Sequence, residues 1–227
     1  MPADTIISDA IINVNGDNIQ SLEILFLTTI LSLLPSLVVM LTPFARYIIS
    51  LSFLRTAMGT QQTPPNMVLV GMALVLTLFT MTPTLNAIQA EAYEPYVAEE
   101  ITQEEFFDRA QVPIKEFMLR NTEISSLEFY CDMADVGIPA SSQEATGLPL
   151  RVIMPAFVTT ELKKAFEIGF LLYIPFMLLD MVVASTLMSM GMIMLPPAMI
   201  STPFKLLLFI LLDGWQLLFS NLVQNVN

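Results

Sequence analysis

Two carboxylates, Asp180 and Asp213, stand in long apolar runs of this 227-residue chain, and a pair of carboxylates in different surroundings can divide acid and base work between them. An intramembrane enzyme of that kind needs both groups to converge on a substrate cleft. The chain has no histidine and one cysteine, Cys131, which excludes a histidine-based triad and an internal disulfide and leaves little for soft-metal ligation. No enzymatic activity, metal or cofactor is expected. Asp180 reads otherwise as a structural carboxylate paired with a neighbouring helix, or as a lumen-facing acid that handles protons. At mid-span a carboxylate costs roughly 2.5–3.5 kcal/mol on the insertion scale, so such groups face a bundle interior or a water-filled cavity.

The second group is a set of thioethers. Met188, Met190, Met192 and Met194 recur at every second position around Gly191, and Pro196 and Pro197 stop the run. A single methionine in an apolar helix is ordinary packing, but four in seven residues are not. Methionine is unbranched, has three rotatable bonds and conforms to irregular surfaces. If several copies met around an axis, Met190, Met192, Ile193 and Met194 would form an apolar constriction that blocks water and ions.

The elements that carry these residues follow from composition and charge. Hydrophobic residues make up 55% and charged residues 13%, against about 25% charged in soluble domains, and the mean hydropathy is +0.68. This is the composition of an integral membrane protein. A net charge of −12 gives no electrostatic footprint for nucleic acid. The uncharged run from Ile24 to Ala45 suffices for one span of roughly 20 residues, and a second apolar run covers about Met67 to Ile88. A third, Ile168 to Leu195, holds only Asp180, and a fourth, about Phe204 to Val223, holds Lys205 and Asp213.

The division expected is an N-terminal extracytoplasmic segment (1–22), a first hydrophobic hairpin (23–90), an acidic helical insert (91–160) and a second hydrophobic hairpin with a methionine tip (161–227). The fold class is all-α. Seven of the 15 prolines lie in or beside the apolar runs, and each interior one frees a backbone carbonyl, which is tolerated where other helices or water satisfy it. From Ala165 to Met194 a continuous helix would measure about 45 Å, longer than a ~30 Å hydrocarbon core.

Arg46 and Arg55 place the first hairpin tip on the cytoplasmic side by the distribution of basic residues. Lys205 agrees, while Lys163 and Lys164 oppose. The insert is then extracytoplasmic; residues 91–167 hold 15 acids and 6 bases. The first 20 residues lack a basic region and a sustained apolar core, so no cleavable signal peptide is read there. In the insert, Thr102 with Glu105 and Ser125 with Glu128 predict capping boxes, Pro113 predicts the first turn of a further helix, and 136–150 reads as a loop. No strand pattern is predicted. Glu161, Lys163, Lys164 and Glu167 read as a solvated helix end paired along its own helix, and Gly71, Gly169 and Gly191 as points of close helix approach.

The stretches Met40–Met81 ("MLTPFARYIISLSFLRTAMGTQQTPPNMVLVGMALVLTLFTM"), Pro113–Arg120, Met154–Ser185 and Met190–Leu218 ("MGMIMLPPAMISTPFKLLLFILLDGWQLL") together resemble the FliP family, core components of the flagellar type III export gate. The resemblance implies a helical ring in which about five copies join the larger subunit FliR and several copies of FliQ. It further implies work with FlhA and FlhB inside the basal-body membrane ring of the bacterial inner membrane, passing unfolded flagellar proteins. It places Met192, Ile193 and Met194 in the constriction, with Ile193 where the family often has a further methionine, and pairs Glu161 with Lys205 between subunits. A virulence injectisome gate and a small-solute channel are the alternatives, although "LLDGWQLL" looks more flagellar and no inverted repeat is evident.

Overall fold

The computed structural model describes residues 11–14, 17–60, 62–139 and 141–226 and divides into two units, Met1–Val39 and Met40–Asn227. The fold is α-helical, as the apolar runs predict, with one small exception. In the first unit β1 (Ile11–Val14) and β2 (Asp17–Gln20) pair antiparallel, with Ile11 opposite Gln20 and Val14 opposite Asp17. No strand is predicted in this segment; at four residues "IINV" is too short to show alternation. The remainder of the segment predicted for 1–22, and the signal-peptide question with it, lies largely outside the described residues. Helix α1 (Ser21–Leu41) follows.

The second unit is built on α2 (Phe44–Met58) and the 40-residue α8 (Leu150–Ser189). Helix α2 buries Tyr47, Leu51, Leu54 and Met58, a stripe at helical spacing. Arg46 meets Glu161, and the Phe53 ring lies 5.6 Å from Phe166, so α2 and α8 run in the same direction. Helix α3 (Asn66–Ile88) returns antiparallel to α2: the Tyr47 hydroxyl lies 2.6 Å from Thr80 Oγ1, whose own proton goes to the Leu76 carbonyl, and Arg55 donates to Asn66 Oδ1. Helix α9 (Pro197–Leu211) returns along α8, and α10 (Gly214–Gln224) completes the second return.

The fourth apolar run is therefore two helices, bent by 66°. Asp213 takes a left-handed backbone (φ 49°) at the break, and a side chain on Gly214 would fall 2.4 Å from the Phe209 ring. Phe209 in turn packs edge-on against Trp215, with ring centres 5.2 Å apart. Among the described residues, two helical rods, Asn66–Val97 and Leu150–Ser189, can cross a membrane by length and composition, and up to four spans result if each broken pair counts as one.

The insert departs from expectation in detail. The rod begun by α3 passes through a wide π turn (Gln89–Tyr93) into the short α4 (Glu94–Val97). The wide turn precedes Pro95, whose ring cannot face the carbonyl four residues back. Helix α5 (Gln103–Asn121) opens with the Thr102–Glu105 capping box. It then continues through Pro113, so no new helix starts there. The second capping box does not form. Helix α6 (Ile124–Met133) begins two residues earlier, with Glu123 in place of Ser125 at its cap, because the Glu123 N–H donates to Thr160 Oγ1 at 3.1 Å and the Glu123 carboxylate accepts from Lys163 at 2.7 Å. The expected loop at 136–150 contains α7 (Ser142–Thr146) and the first residue of α8. Cys131 is buried in α6, and burial, then the Glu128 carboxylate, push its thiol above the usual range. Helix α8 is about 60 Å long at ~1.5 Å per residue, and the boundary drawn at 160/161 falls inside it.

Candidate functional site

The directions of the helices put a polar tie at each end of the bundle. At the insert end, Arg46 is wholly buried. Its Nε donates to Glu161 Oε2 at 2.8 Å, its Nη2 donates to Glu161 Oε1, and its Nη1 donates to the Asn225 carbonyl at 2.7 Å. A guanidinium matches a carboxylate in this two-point geometry. One side chain thus joins α2, α8 and the residue after α10. Lys164 donates to the Asn121 carbonyl at 3.1 Å. The solvated, self-paired helix end expected at 161–167 is corrected: Glu161 is buried against α2, and Lys163 and Lys164 reach to the insert.

At the other end, Asp180 is held twice, by Ser201 Oγ at 2.6 Å and by Lys205 Nζ at 2.7 Å. Lys205 is itself buried and also donates to the Ala57 carbonyl at 3.0 Å. That carbonyl is one of the last four of α2, which lack partners within the helix. A cation there is favourably placed against the helix dipole. Asp213, at the α9–α10 break, is not among the partners of Asp180 in this network. Among the described residues no group of three His, Cys, Asp or Glu side chains is placed to hold a metal ion.

Beyond the second tie lies the methionine tip. Helix α8 ends in a Schellman arrangement: the Gly191 N–H donates to the Met188 carbonyl and the Met192 N–H to the Leu187 carbonyl, each at 3.0 Å, with Gly191 at φ 77°. This is the stop that a left-handed glycine makes at a helix end. The chain then turns through Met192, Ile193 and Met194 to Pro196, after which α9 begins. Ile193 is 80% and Met194 98% exposed, and Met190 is exposed as well. The structure therefore groups the four predicted constriction residues at one apex. It does not bring Glu161 and Lys205 together within the chain, since the 19 residues from Glu161 to Asp180 span about 28 Å of helix. Sequence reasoning missed Arg46, Ser201 and the Asn225 carbonyl. For Arg46 a signal existed, a lone cation two residues into α2 after an uncharged run.

Kinked helical hairpins tied by buried charges at both ends, with an apolar apex left bare, define an integral membrane protein whose helices are made to be covered by lipid or further protein. A family model described as "FliP family" matches residues 27–222. The "Flagellar biosynthetic protein FliP" of Aquifex aeolicus (strain VF5) is 50% identical over 211 residues, 92% of this chain and 87% of the relative. Those of Pectobacterium carotovorum subsp. carotovorum and Bacillus subtilis (strain 168) are 49% and 47% identical, over 90% and 92% of this chain and 78% and 94% of the relatives. The chain belongs to the FliP family. It is a membrane-embedded flagellar biosynthesis protein.

Proposed function

We propose that this chain is a pore-forming core subunit of the flagellar type III export gate, in which methionine tips from several copies close an apolar gasket around passing, unfolded flagellar proteins. The observation that carries the reading is the bare apex: Met190, Met192, Ile193 and Met194 project from a rigid helix stop at a hairpin turn, where an isolated chain gains nothing by exposing them. Thioethers suit the task because they refit to many cargo side chains, and an apolar constriction excludes water without any specific ligand. About five copies with FliQ and FliR, beside FlhA and FlhB in the basal body of the inner membrane, with the insert on the periplasmic side, are the setting proposed by resemblance. The relatives carry flagellar names, which favours this system over an injectisome. No reaction is proposed for the chain.

Changing Met192, Ile193 and Met194 together to alanine is expected to leave assembly intact while the membrane leaks small ions. Conductance of the assembled triple variant no higher than that of the unaltered protein would return the methionines to plain packing. A bridge from Glu161 of one copy to Lys205 of the next is proposed on the resemblance alone. It asks that neighbours be offset by about 28 Å along α8 and that Arg46 and Asp180 yield their partners. Exchanging the two charges should then restore part of the oligomer lost in each single alanine variant; no restoration would argue that the in-chain partners are the operative ones.

A further inference from the structure

We propose that the cleft between α5, α6 and α7 in the acidic insert is the docking site for a basic amphipathic helix of a different protein. The inference goes beyond the gasket reading and does not depend on it. The cleft encloses about 620 Å³, inside the range of roughly 300–1,000 Å³ typical of ligand clefts. Its apolar wall is Leu119 of α5, Ile124 and Leu127 of α6, and Ile138 and Pro139 of the loop before α7. Ile124 is 75% and Ile138 60% exposed, although the insert around them is strongly charged. Glu116 and Glu128 line the same cleft, and neither has an ion-pair partner among the described residues. Arg120 lines it too, outnumbered by the two carboxylates.

Bonds on each side fix the walls of the cleft. Lys115 donates to the Thr146 carbonyl at 3.3 Å and holds α7 on α5. The Tyr130 hydroxyl lies 2.9 Å from Thr159 Oγ1, and Lys163 donates to the Glu123 carboxylate, which together hold α6 on α8. A preformed site of this kind spends little on ordering, and a groove between helices takes a helix by apolar anchors on one of its faces. Charge selects the occupant. Residues 91–149 hold 13 acids and 3 bases, so two inserts meeting face to face repel one another, and an anionic lipid surface repels them as well. The chain's own bases are already committed: Arg46 and Arg55 lie in α2, which is packed in the bundle core, and Lys163 and Lys164 are bonded to the insert from α8. What fits is another protein's helix with apolar side chains on one face and lysine or arginine beside them. Its apolar anchors cover Ile124 and Ile138, and its cations meet Glu116 and Glu128.

The test uses the full-length chain in nanodiscs of zwitterionic phosphatidylcholine and a labelled peptide of about five helical turns, leucine on one face and lysine on the other. The comparators are the same peptide with glutamate for lysine, and empty nanodiscs. Binding above that of empty discs should saturate, weaken with salt as exposed ion pairs do, and protect 119–128 and 138–146 from hydrogen exchange. Ile124→Ser with Ile138→Ser should weaken it roughly tenfold, as removal of interface anchors does. Both side chains are exposed, so the fold should hold. Glu116→Lys with Glu128→Lys is the second variant and should weaken the lysine peptide by a similar factor with melting unchanged. Equal binding of the glutamate peptide, protection elsewhere in the chain, or indifference to both double variants overturns the proposal. Binding no greater than that of empty discs assigns the peptide to lipid and overturns it too. An oligomer that dissociates on Ile124→Ser with Ile138→Ser, in the absence of peptide, makes the cleft a contact between copies instead and overturns the choice of partner.

Discussion

Glu161→Ala is expected to be among the most damaging single changes in the chain, lowering stability by about 3–5 kcal/mol, the usual cost of leaving one member of a buried ion pair alone. The substitution deletes both acceptors of Arg46 Nε and Nη2 and leaves a wholly buried guanidinium holding only the Asn225 carbonyl. Since folded proteins have only about 5–15 kcal/mol in hand, the variant should be scarce in membranes. The purified chain should melt early by the fluorescence of Trp215, the sole tryptophan, which packs on Phe209 and Phe219. Replacing both Arg46 and Glu161 by methionine should recover most of the loss, because a desolvated pair exchanged for apolar side chains is often neutral. A single variant that melts within the ~0.5 kcal/mol typical of surface changes would mean that the pair does not bear on folding.

Gly169→Val should come next in effect. A Cβ at this position would lie 2.5 Å from Cγ and Cδ2 of Phe53 and 3.1 Å from its Cβ. The clash falls on Cγ and Cβ, the root of the Phe53 side chain, so a rotation of the ring alone does not relieve it. Overpacking of this kind costs roughly 1–3 kcal/mol, and the branched valine side chain belongs at the upper end. Phe53→Leu in the same chain should relieve part of the cost, which a purely local helix effect would not allow. Gly71→Ala serves as the comparison. Nothing lies within 4 Å of its added Cβ, so melting should hold or rise by up to the ~1 kcal/mol of helix propensity. If Gly71→Ala and Gly169→Val cost the same, the α2–α8 contact is not what Gly169 serves.

Those glycines mark the boundary of what sequence could say. Gly71, Gly169 and Gly191 looked alike as small residues in apolar runs, and in space they do three different things: open surface, close helix contact, and a left-handed helix stop. Composition and periodicity by themselves determined the helical membrane class, the four apolar runs, the Thr102–Glu105 cap and the location of the methionine apex, because these depend on neighbours within a turn or two of the chain. The Asn15–Gly16 dipeptide, a frequent hairpin signal, was also there to be read. Tertiary structure alone decided the partners of the charges. Arg46 and Glu161 are 115 positions apart, and Lys205 and the Ala57 carbonyl are 148 apart. A charge in an apolar run announces that it must be paired, since its desolvation is too costly to leave open, but its partner is fixed by which helices run alongside one another.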